Sequence, residues 1–227
     1  MIYTIVTLVI VAYLLGSIPS AVWIGKHFYG VDIRQHGSRN AGTTNMLRVL
    51  GRRAALPVFV IDFLKGYVAV TLCNLAEFLP QFLPGGEFGP GGIYVVKVGL
   101  VVAVVLGHIF PLFAGFKGGK GVATLAGAVM GVAPASVMLC LGVWVVVLMV
   151  WHYVSLASIF AGVCFPIFIM LNPRTNTSLT LIIFSCVVAI LLLITHRKNI
   201  ARLRSGKESK IYIWRQPPRK FTDPPKE

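Results

Sequence analysis

The sequence predicts an all-α integral membrane protein of seven transmembrane helices, with its N-terminus outside and its C-terminus cytoplasmic. Three observations predict this. Of 227 residues, 56% are hydrophobic and 12% are charged, with a mean hydropathy of +0.81, whereas a soluble domain carries roughly 25% charged residues. The apolar residues fall into runs long enough to cross a bilayer, which takes roughly 20 residues each. The Lys and Arg residues gather in alternate connections between the runs, as the positive-inside rule requires of cytoplasmic segments.

The first run, residues 2–24, holds no charge. It lacks the basic start of a cleavable signal peptide and is longer than a signal's apolar core, so it reads as a span. The second run, 54–79, contains Asp62 and Lys65. Three residues apart on a helix they share a face, and each neutralises the other near the cytoplasmic boundary. The third, 93–113, carries Lys97 near its start. Residues 122–151 form an uncharged run too long for one ordinary span, with Pro134 inside it. Proline removes a rung from the helical ladder and disfavours helix in the residue before it. The run therefore divides into 122–133, which is short, and 135–151. The runs 154–171 and 179–195 complete the seven.

Charge orients them. The connection 25–53 carries Lys26, Arg34, Arg39, Arg48, Arg52 and Arg53 against Asp32, and 114–121 carries Lys117 and Lys120. The tail 197–227 is strongly basic, whereas 80–92 has Glu87 alone and 172–178 has Arg174 alone. Seven spans put all three basic segments in the cytoplasm; six would strand the tail on the other face. The net charge of +14 is thus mostly topology, and no soluble domain presents it to nucleic acid. Residues 1–210 read as one membrane domain, with 211–227 a basic, Pro-rich tail expected to be disordered. Cys73, Cys140, Cys164 and Cys186 all lie in apolar runs without Cys-x-x-Cys spacing, as small packing residues do. The five histidines show no metal-ligand spacing.

Three cytoplasmic stretches carry the chemistry. His36-Gly-Ser-Arg-Asn-Ala-Gly-Thr-Thr-Asn45, followed by Arg48, combines hydroxyls, amides, a guanidinium and glycines. Those are the donors an oxyanion needs, although Ser, Thr and Asn also favour turns and helix caps. Phe116-Lys-Gly-Gly-Lys-Gly121 stands directly before a helical run. Backbone donors, two lysines and a helix N-terminus could converge there on phosphate. It is not a Walker A loop, because Lys120 stands where that pattern needs its second glycine. The plainer alternative is a tight turn with membrane-flanking lysines. His196, Asn199 and Arg202 repeat at i,i+3 on one helix face, and Gly206 ends that helix before Glu208. A basic flank accounts for the arginines but requires neither His196 nor Asn199.

Together these stretches resemble the bacterial acyl-phosphate:glycerol-3-phosphate acyltransferases, the PlsY family. The resemblance rests on Gly16-Ser-Ile-Pro-Ser20, His36-Gly-Ser-Arg-Asn40, Gly42-Thr-Thr-Asn45 with Arg48, and Asp62-Phe-Leu-Lys-Gly66. It continues through Gly107-His-Ile-Phe-Pro111, Phe116-Lys-Gly-Gly-Lys-Gly-Val-Ala-Thr124 and His196-x-x-Asn-Ile-x-Arg-Leu-x-x-Gly-x-Glu208. Thr43 stands where the family usually has alanine, and the end beyond Lys210 is an extension.

The resemblance implies a multi-pass enzyme of the bacterial inner membrane that moves a fatty acyl group from acyl phosphate to the 1-hydroxyl of glycerol 3-phosphate. Lysophosphatidic acid and phosphate leave, in phospholipid biosynthesis. No cofactor or metal is implied; the partners are the two substrates and membrane lipid. Ser38, Arg48, Lys117, His196 and Asn199 take catalytic roles. Asn40, Thr43, Asn45, Gly118, Gly119, Lys120 and Arg202 bind substrate phosphate, while Asp62, Lys65, His108 and Glu208 support the site. An acyl phosphate carries its own leaving group, so direct transfer needs no acyl-enzyme. The proton goes to His196 or to a substrate phosphate, a choice the sequence leaves open. A phosphate transporter would instead place polar groups through its spans, and a membrane scaffold would need no Gly-Gly between lysines.

Overall fold

The computed structural model describes residues 2–77, 92–173, 175 and 178–212, and all regular structure among them is helical. Ten α-helices follow in order: α1 Ile2–Gly16, α2 Ser20–Tyr29, α3 Thr43–Val49, α4 Arg52–Glu77 and α5 Gly92–Ile109. Then come α6 Val122–Met130, α7 Pro134–Trp151, α8 Val154–Leu171, α9 Leu179–Thr195 and α10 Arg197–Arg204. Five stretches are long and apolar enough to cross a membrane: Tyr3–Tyr29, Arg52–Asn74, Ile93–Ala114, Pro134–Trp151 and Val154–Leu171. The pair α9 and α10, bent by 57°, makes a sixth.

The expected span 122–133 is the main departure. Its helix, α6, has nine residues and is about 13 Å long, less than half a hydrocarbon core of about 30 Å. Other expected bounds moved as well. The run 2–24 is two helices, broken at residues 17–19 because Pro19 cannot continue α1. The freed Ile18 carbonyl accepts a hydrogen bond from Lys65 Nζ at 2.8 Å. The packed chain also runs past the expected boundary at 210. Ile211 is buried and its N–H donates to the His152 carbonyl at 2.7 Å; the rest of the expected tail, 213–227, lies outside the described residues.

Small residues bring the helices into backbone contact. A Cβ on Gly66 of α4 would lie 2.0 Å from the Thr124 carbonyl oxygen of α6, and one on Gly127 of α6 1.9 Å from that of Phe63. Gly16 of α1 and Gly107 of α5 meet in the same way, 2.1 Å and 2.2 Å from carbonyl oxygens across the pair. In lipid, where apolar burial drives little association, such close approach is the main source of helix–helix attraction. One core cluster spans α1, α4, α5, α6, α7, α8 and α9, with Val70, Leu100, Val104 and Ile169 fully buried. At the other end of the bundle the core divides. Ala21, Ile33, Met46 and Val58 form one cluster, and Val147, Leu148 and Ala157 another. The outward residues Leu56, Met149 and Ile190 are exposed in the bare chain, as a lipid-facing surface is.

Candidate active site

The connection between α2 and α3 is shaped by two side chains. Asp32 caps the short turn Ile33–Gln35, accepting the Arg34 N–H at 3.0 Å and the Arg34 guanidinium at 2.9 and 2.7 Å. The paired guanidinium holds its carboxyl well below the ordinary range. Arg34 also donates to the Ala114 carbonyl at 2.9 Å, fastening this loop to the one after α5. Asn45 does the rest. Its amide donates to the carbonyls of Ile33 and His36, both at 3.0 Å, and accepts the Ser38 N–H at 2.8 Å. Asn45 thus ties this loop together. Arg48 leaves the last turn of α3 and reaches Glu208 Oε1 at 3.4 Å.

The loop 110–121 closes onto the end of α5. A helix C-terminus leaves carbonyls without intrahelical partners, and those of His108 and Ile109 accept the N–H groups of Gly119 and Gly118 at 3.2 and 3.1 Å. A Cβ on Gly118 would lie 2.0 Å from the His108 carbonyl oxygen, and one on Gly119 2.2 Å from His108 Nε2. These two N–H groups bond the end of α5, and the glycines let the loop lie close enough to present Lys120. Behind it sits a buried network. Asp62 Oδ1 accepts from Ser20 Oγ at 2.7 Å and Lys65 Nζ at 2.8 Å and lies 3.5 Å from His108 Nδ1, which stands 3.1 Å from Thr124 Oγ1.

The third stretch completes the site. Glu208 is the hub: its Oε1 accepts from Asn199 Nδ2 at 2.9 Å and Ser155 Oγ at 3.0 Å, and its Oε2 from Arg202 Nε at 2.6 Å. Burial raises its pKa, but the bonds from Arg202, Asn199 and Ser155 outweigh this and hold it ionised. Lys120 Nζ donates to the other end of the same amide, Asn199 Oδ1. Burial and the nearby charges of Arg202 and Arg48 bring Lys120 down to about 8. His196 is buried, and burial with the Lys120 charge lowers its pKa below the ordinary 6.5. Its Nδ1 lies 2.9 Å from the Leu192 carbonyl oxygen. A carbonyl can only accept, so Nδ1 carries the proton and Nε2 presents a lone pair.

Residues from three sequence-distant stretches thus meet: Arg48, Lys120, Asn199, Arg202 and Glu208, with His196 beside them. Arg48 Nε and Thr43 Oγ1 are buried without a hydrogen-bond partner among the described residues. Ser38 and Lys117 are exposed and Asn40 half-buried on the adjoining loops, none bonded to the Glu208 hub. Ser155 is the residue absent from the sequence reading, while Ser20 and Thr124 close two of its motifs without a stated role. The available signal for Ser155 was a hydroxyl in the first turn of an otherwise apolar span, where backbone groups leave it free to bond elsewhere. Chemically, the cluster offers two fixed guanidinium groups, an ammonium and a neutral imidazole at the polar end of an apolar bundle. That combination can hold phosphate dianions while an alkyl chain lies among the helices.

Comparison with known proteins agrees with this chemistry. The family model described as glycerol-3-phosphate acyltransferase matches residues 6–206. The glycerol-3-phosphate acyltransferase of Chlorobium phaeobacteroides (strain DSM 266) is 38% identical over 234 residues, covering 93% of this chain and 98% of its own. That of Staphylococcus carnosus is 42% identical over 209 residues, covering 91% and 98%. Among solved structures, PlsY (YgiH), an integral membrane glycerol 3-phosphate acyltransferase, superposes in its glycerol 3-phosphate form with a TM-score of 0.78 at 37% identity, covering 92% of this chain and 96% of that one. Its lysophosphatidic acid form gives 0.74 at 35% identity, with the same coverage.

Proposed function

The chain belongs to the glycerol-3-phosphate acyltransferase family, and from that membership we propose that it transfers a fatty acyl group from acyl phosphate to the 1-hydroxyl of glycerol 3-phosphate. The products are 1-acylglycerol 3-phosphate, a precursor in phospholipid biosynthesis, and inorganic phosphate. The observation that carries this reading is the convergence of Arg48, Lys120 and Arg202 on the Asn199–Glu208 pair, with a neutral His196 beside Lys120 and Arg48 Nε buried and unbonded. Cations so placed suit two phosphate-bearing substrates, and an unspent buried donor suits a ligand oxygen.

The roles follow from the bonds. Arg48 and Lys120 bind phosphate, with Arg202 adding charge from behind Glu208. Asn199 and Glu208 hold those cations in register. Ser38, Asn40, Thr43 and Lys117 contribute donors from the loop edges, and Gly118 and Gly119 set the loop's approach. The glycerol hydroxyl oxygen attacks the acyl carbonyl carbon, the bond from that carbon to the phosphate oxygen breaks, and phosphate leaves with the bonding pair. The hydroxyl proton passes to His196 Nε2 or to a substrate phosphate oxygen. The developing oxyanion is stabilised by the fixed cations.

We place this site on the cytoplasmic face of a bacterial inner membrane, with seven crossings and the N-terminus outside. The chain path supports it. Ser136, at the start of α7, bonds the Phe168 carbonyl near the end of α8, whereas His152, just past α7, bonds Ile211 beside the site. Residues 121–134 lie between these two ends, which supports reading α6, packed on α4, as a short crossing.

Purified protein given acyl phosphate and glycerol 3-phosphate tests the proposal. We expect 1-acylglycerol 3-phosphate and phosphate in equal amounts. Glycerol 3-phosphate flux into liposomes without acylated product would instead make the chain a transporter and overturn the proposal.

A further inference from the structure

Outside the Glu208 cluster, the same face carries a cleft of roughly 640 Å³ between the loop before α3 and the loop before α6, whose lining includes Asp32, Arg34, Arg39, Gly115, Lys117 and Gly118. Its charge is unbalanced. The Asp32 carboxylate is committed to Arg34, with Lys26 Nζ also at 3.3 Å. Arg39 and Lys117 are exposed and have no ion pair among the described residues. Three lining cations face one lining carboxylate, an excess of two positive charges, the charge of a phosphomonoester dianion. Backbone strain marks the same two walls. Arg39 is held at φ 59° and Phe116, next to Lys117, at φ 58°, a region that residues with a Cβ seldom occupy. The lining residue Gly118 is followed by Gly119, where a Cβ would lie 2.8 Å from the Ala41 carbonyl oxygen, and then by Lys120. Cleft and inner cluster therefore share one loop, with Lys117 and Gly118 in the cleft wall and Lys120 bonded to Asn199.

We propose that this cleft is a capture subsite for a phosphomonoester dianion, at which glycerol 3-phosphate lodges before it reaches Arg48 and Lys120. The proposal rests on the acyl-transfer reading for the identity of that dianion. Two cations in a cleft with protein walls concentrate a dianion electrostatically, and salt screens the effect. Arg39 is therefore a specificity-determining residue that acts on capture and leaves the chemical step alone.

The test uses the full chain in nanodiscs of zwitterionic lipid, comparing wild type with Arg39→Gly and Arg39→Lys. Glycine accepts the left-handed backbone, so Arg39→Gly removes the cation without adding strain. We expect Arg39→Gly to raise the KM for glycerol 3-phosphate about fivefold at low ionic strength, with kcat held within about twofold. Its KM should rise less steeply with added salt than that of wild type, and Arg39→Lys should retain most of the wild-type behaviour. Calorimetry with inorganic phosphate provides a readout independent of turnover. Weaker phosphate binding in Arg39→Gly with no acylated product from either protein would sink the acyl-transfer reading and leave the anion subsite standing. An unchanged KM, salt slope and phosphate affinity in Arg39→Gly would overturn the subsite. A parallel arm adds phosphatidic acid to the nanodiscs. A wild-type preference for that lipid, lost in Arg39→Gly while the KM for glycerol 3-phosphate stays fixed, would assign the cleft to a lipid headgroup and overturn capture of the soluble substrate.

Discussion

Lys120, in the loop before α6, and Asn199, in α10, are joined through a single side-chain amide: Lys120 donates to Asn199 Oδ1 while Asn199 Nδ2 donates to Glu208. The amide separates an ammonium from a carboxylate that would otherwise neutralise it. Lys120 is left aimed by a neutral group and keeps its charge for a ligand. Asn199→Ala removes both bonds at once and leaves buried partners unsatisfied, a loss of about 1–3 kcal/mol. We expect kcat/KM to fall roughly 5- to 150-fold. Asn199→Asp should also fail, because it sets a second carboxylate beside Glu208 and pairs directly with Lys120. Steady-state kinetics on both variants check this, and wild-type turnover in Asn199→Asp would remove the amide from the mechanism.

Gly119→Ala tests the loop's seat on α5. Its Cβ would lie 2.2 Å from His108 Nε2 and 2.8 Å from the Ala41 carbonyl oxygen, so the loop must lift and carry Lys120 with it. The expected outcome is a raised KM for glycerol 3-phosphate, with kcat less affected. Because the closer obstacle is a side chain, adding His108→Ala should recover part of the lost affinity. A double variant no better than the sum of its parts would show that the clash with His108 is not the cause.

The division of labour within each loop was the part hidden from the sequence. Composition and charge spacing exposed the membrane class, and the Gly-Gly between lysines and His196 with Asn199 marked the stretches that meet. Asn45, Gly118 and Gly119 offer donors that residue type alone cannot direct, and the fold bonds those donors to neighbouring carbonyls. One-dimensional order cannot show which carbonyl lies within 3 Å. Ser155 reaches Glu208 across 53 positions, and its place in the first turn of α8 does not say which partner it meets. The break at Pro19 was legible by the same rule that divided residues 122–151 at Pro134. The shortness of the run before Pro134 was legible too; that its helix stops at Met130 and not at 133 was not.

Acidity and alkalinity should each remove activity by a separate group. Above about 8, Lys120 loses its proton in the free enzyme, so kcat/KM for glycerol 3-phosphate should decline on the alkaline side with an apparent pKa near that value. On the acid side His196, whose pKa lies below 6.5, gains a proton and Nε2 can no longer accept. His196→Gln separates the two proton acceptors. If His196 is the base, kcat falls by roughly 10²–10⁴ and the acid limb disappears. If a substrate phosphate is the base, the acid limb persists near the second phosphate pKa of about 6.

The seven-crossing path is open to chemical labelling. Single cysteines at Ser38, Lys117 and Ser205 should react only with reagents admitted to the cytoplasm, and one at Pro173 only from the opposite side. Lys117 is the better position in its loop, because a Cβ on Gly118 would lie 2.0 Å from the His108 carbonyl oxygen. Reaction of Lys117→Cys and Pro173→Cys from the same side would mean that residues 121–134 do not cross.

Transfer should proceed without an acyl-enzyme. A covalent intermediate needs a nucleophile with an adjacent base, and the four cysteines lie in α4, α7, α8 and α9, away from the loops that gather the cations. Ser38 is the hydroxyl that could compete. Its backbone N–H is fixed by Asn45, but no base is bonded to its Oγ among the described residues, and Nδ1 of His196 is committed to Leu192. An acyl phosphate brings a leaving group good enough for one-step displacement once both substrates are oriented. Enzyme incubated with radiolabelled acyl phosphate alone and quenched in acid should retain no stoichiometric label, and a cysteine-free variant should keep its activity. Label that disappears in Ser38→Ala, or ping-pong kinetics in the wild type, would replace direct transfer with a two-step path through that serine. Retention of the sequential pattern in Ser38→Ala, with only KM raised, would fix Ser38 as a hydrogen-bond donor to substrate.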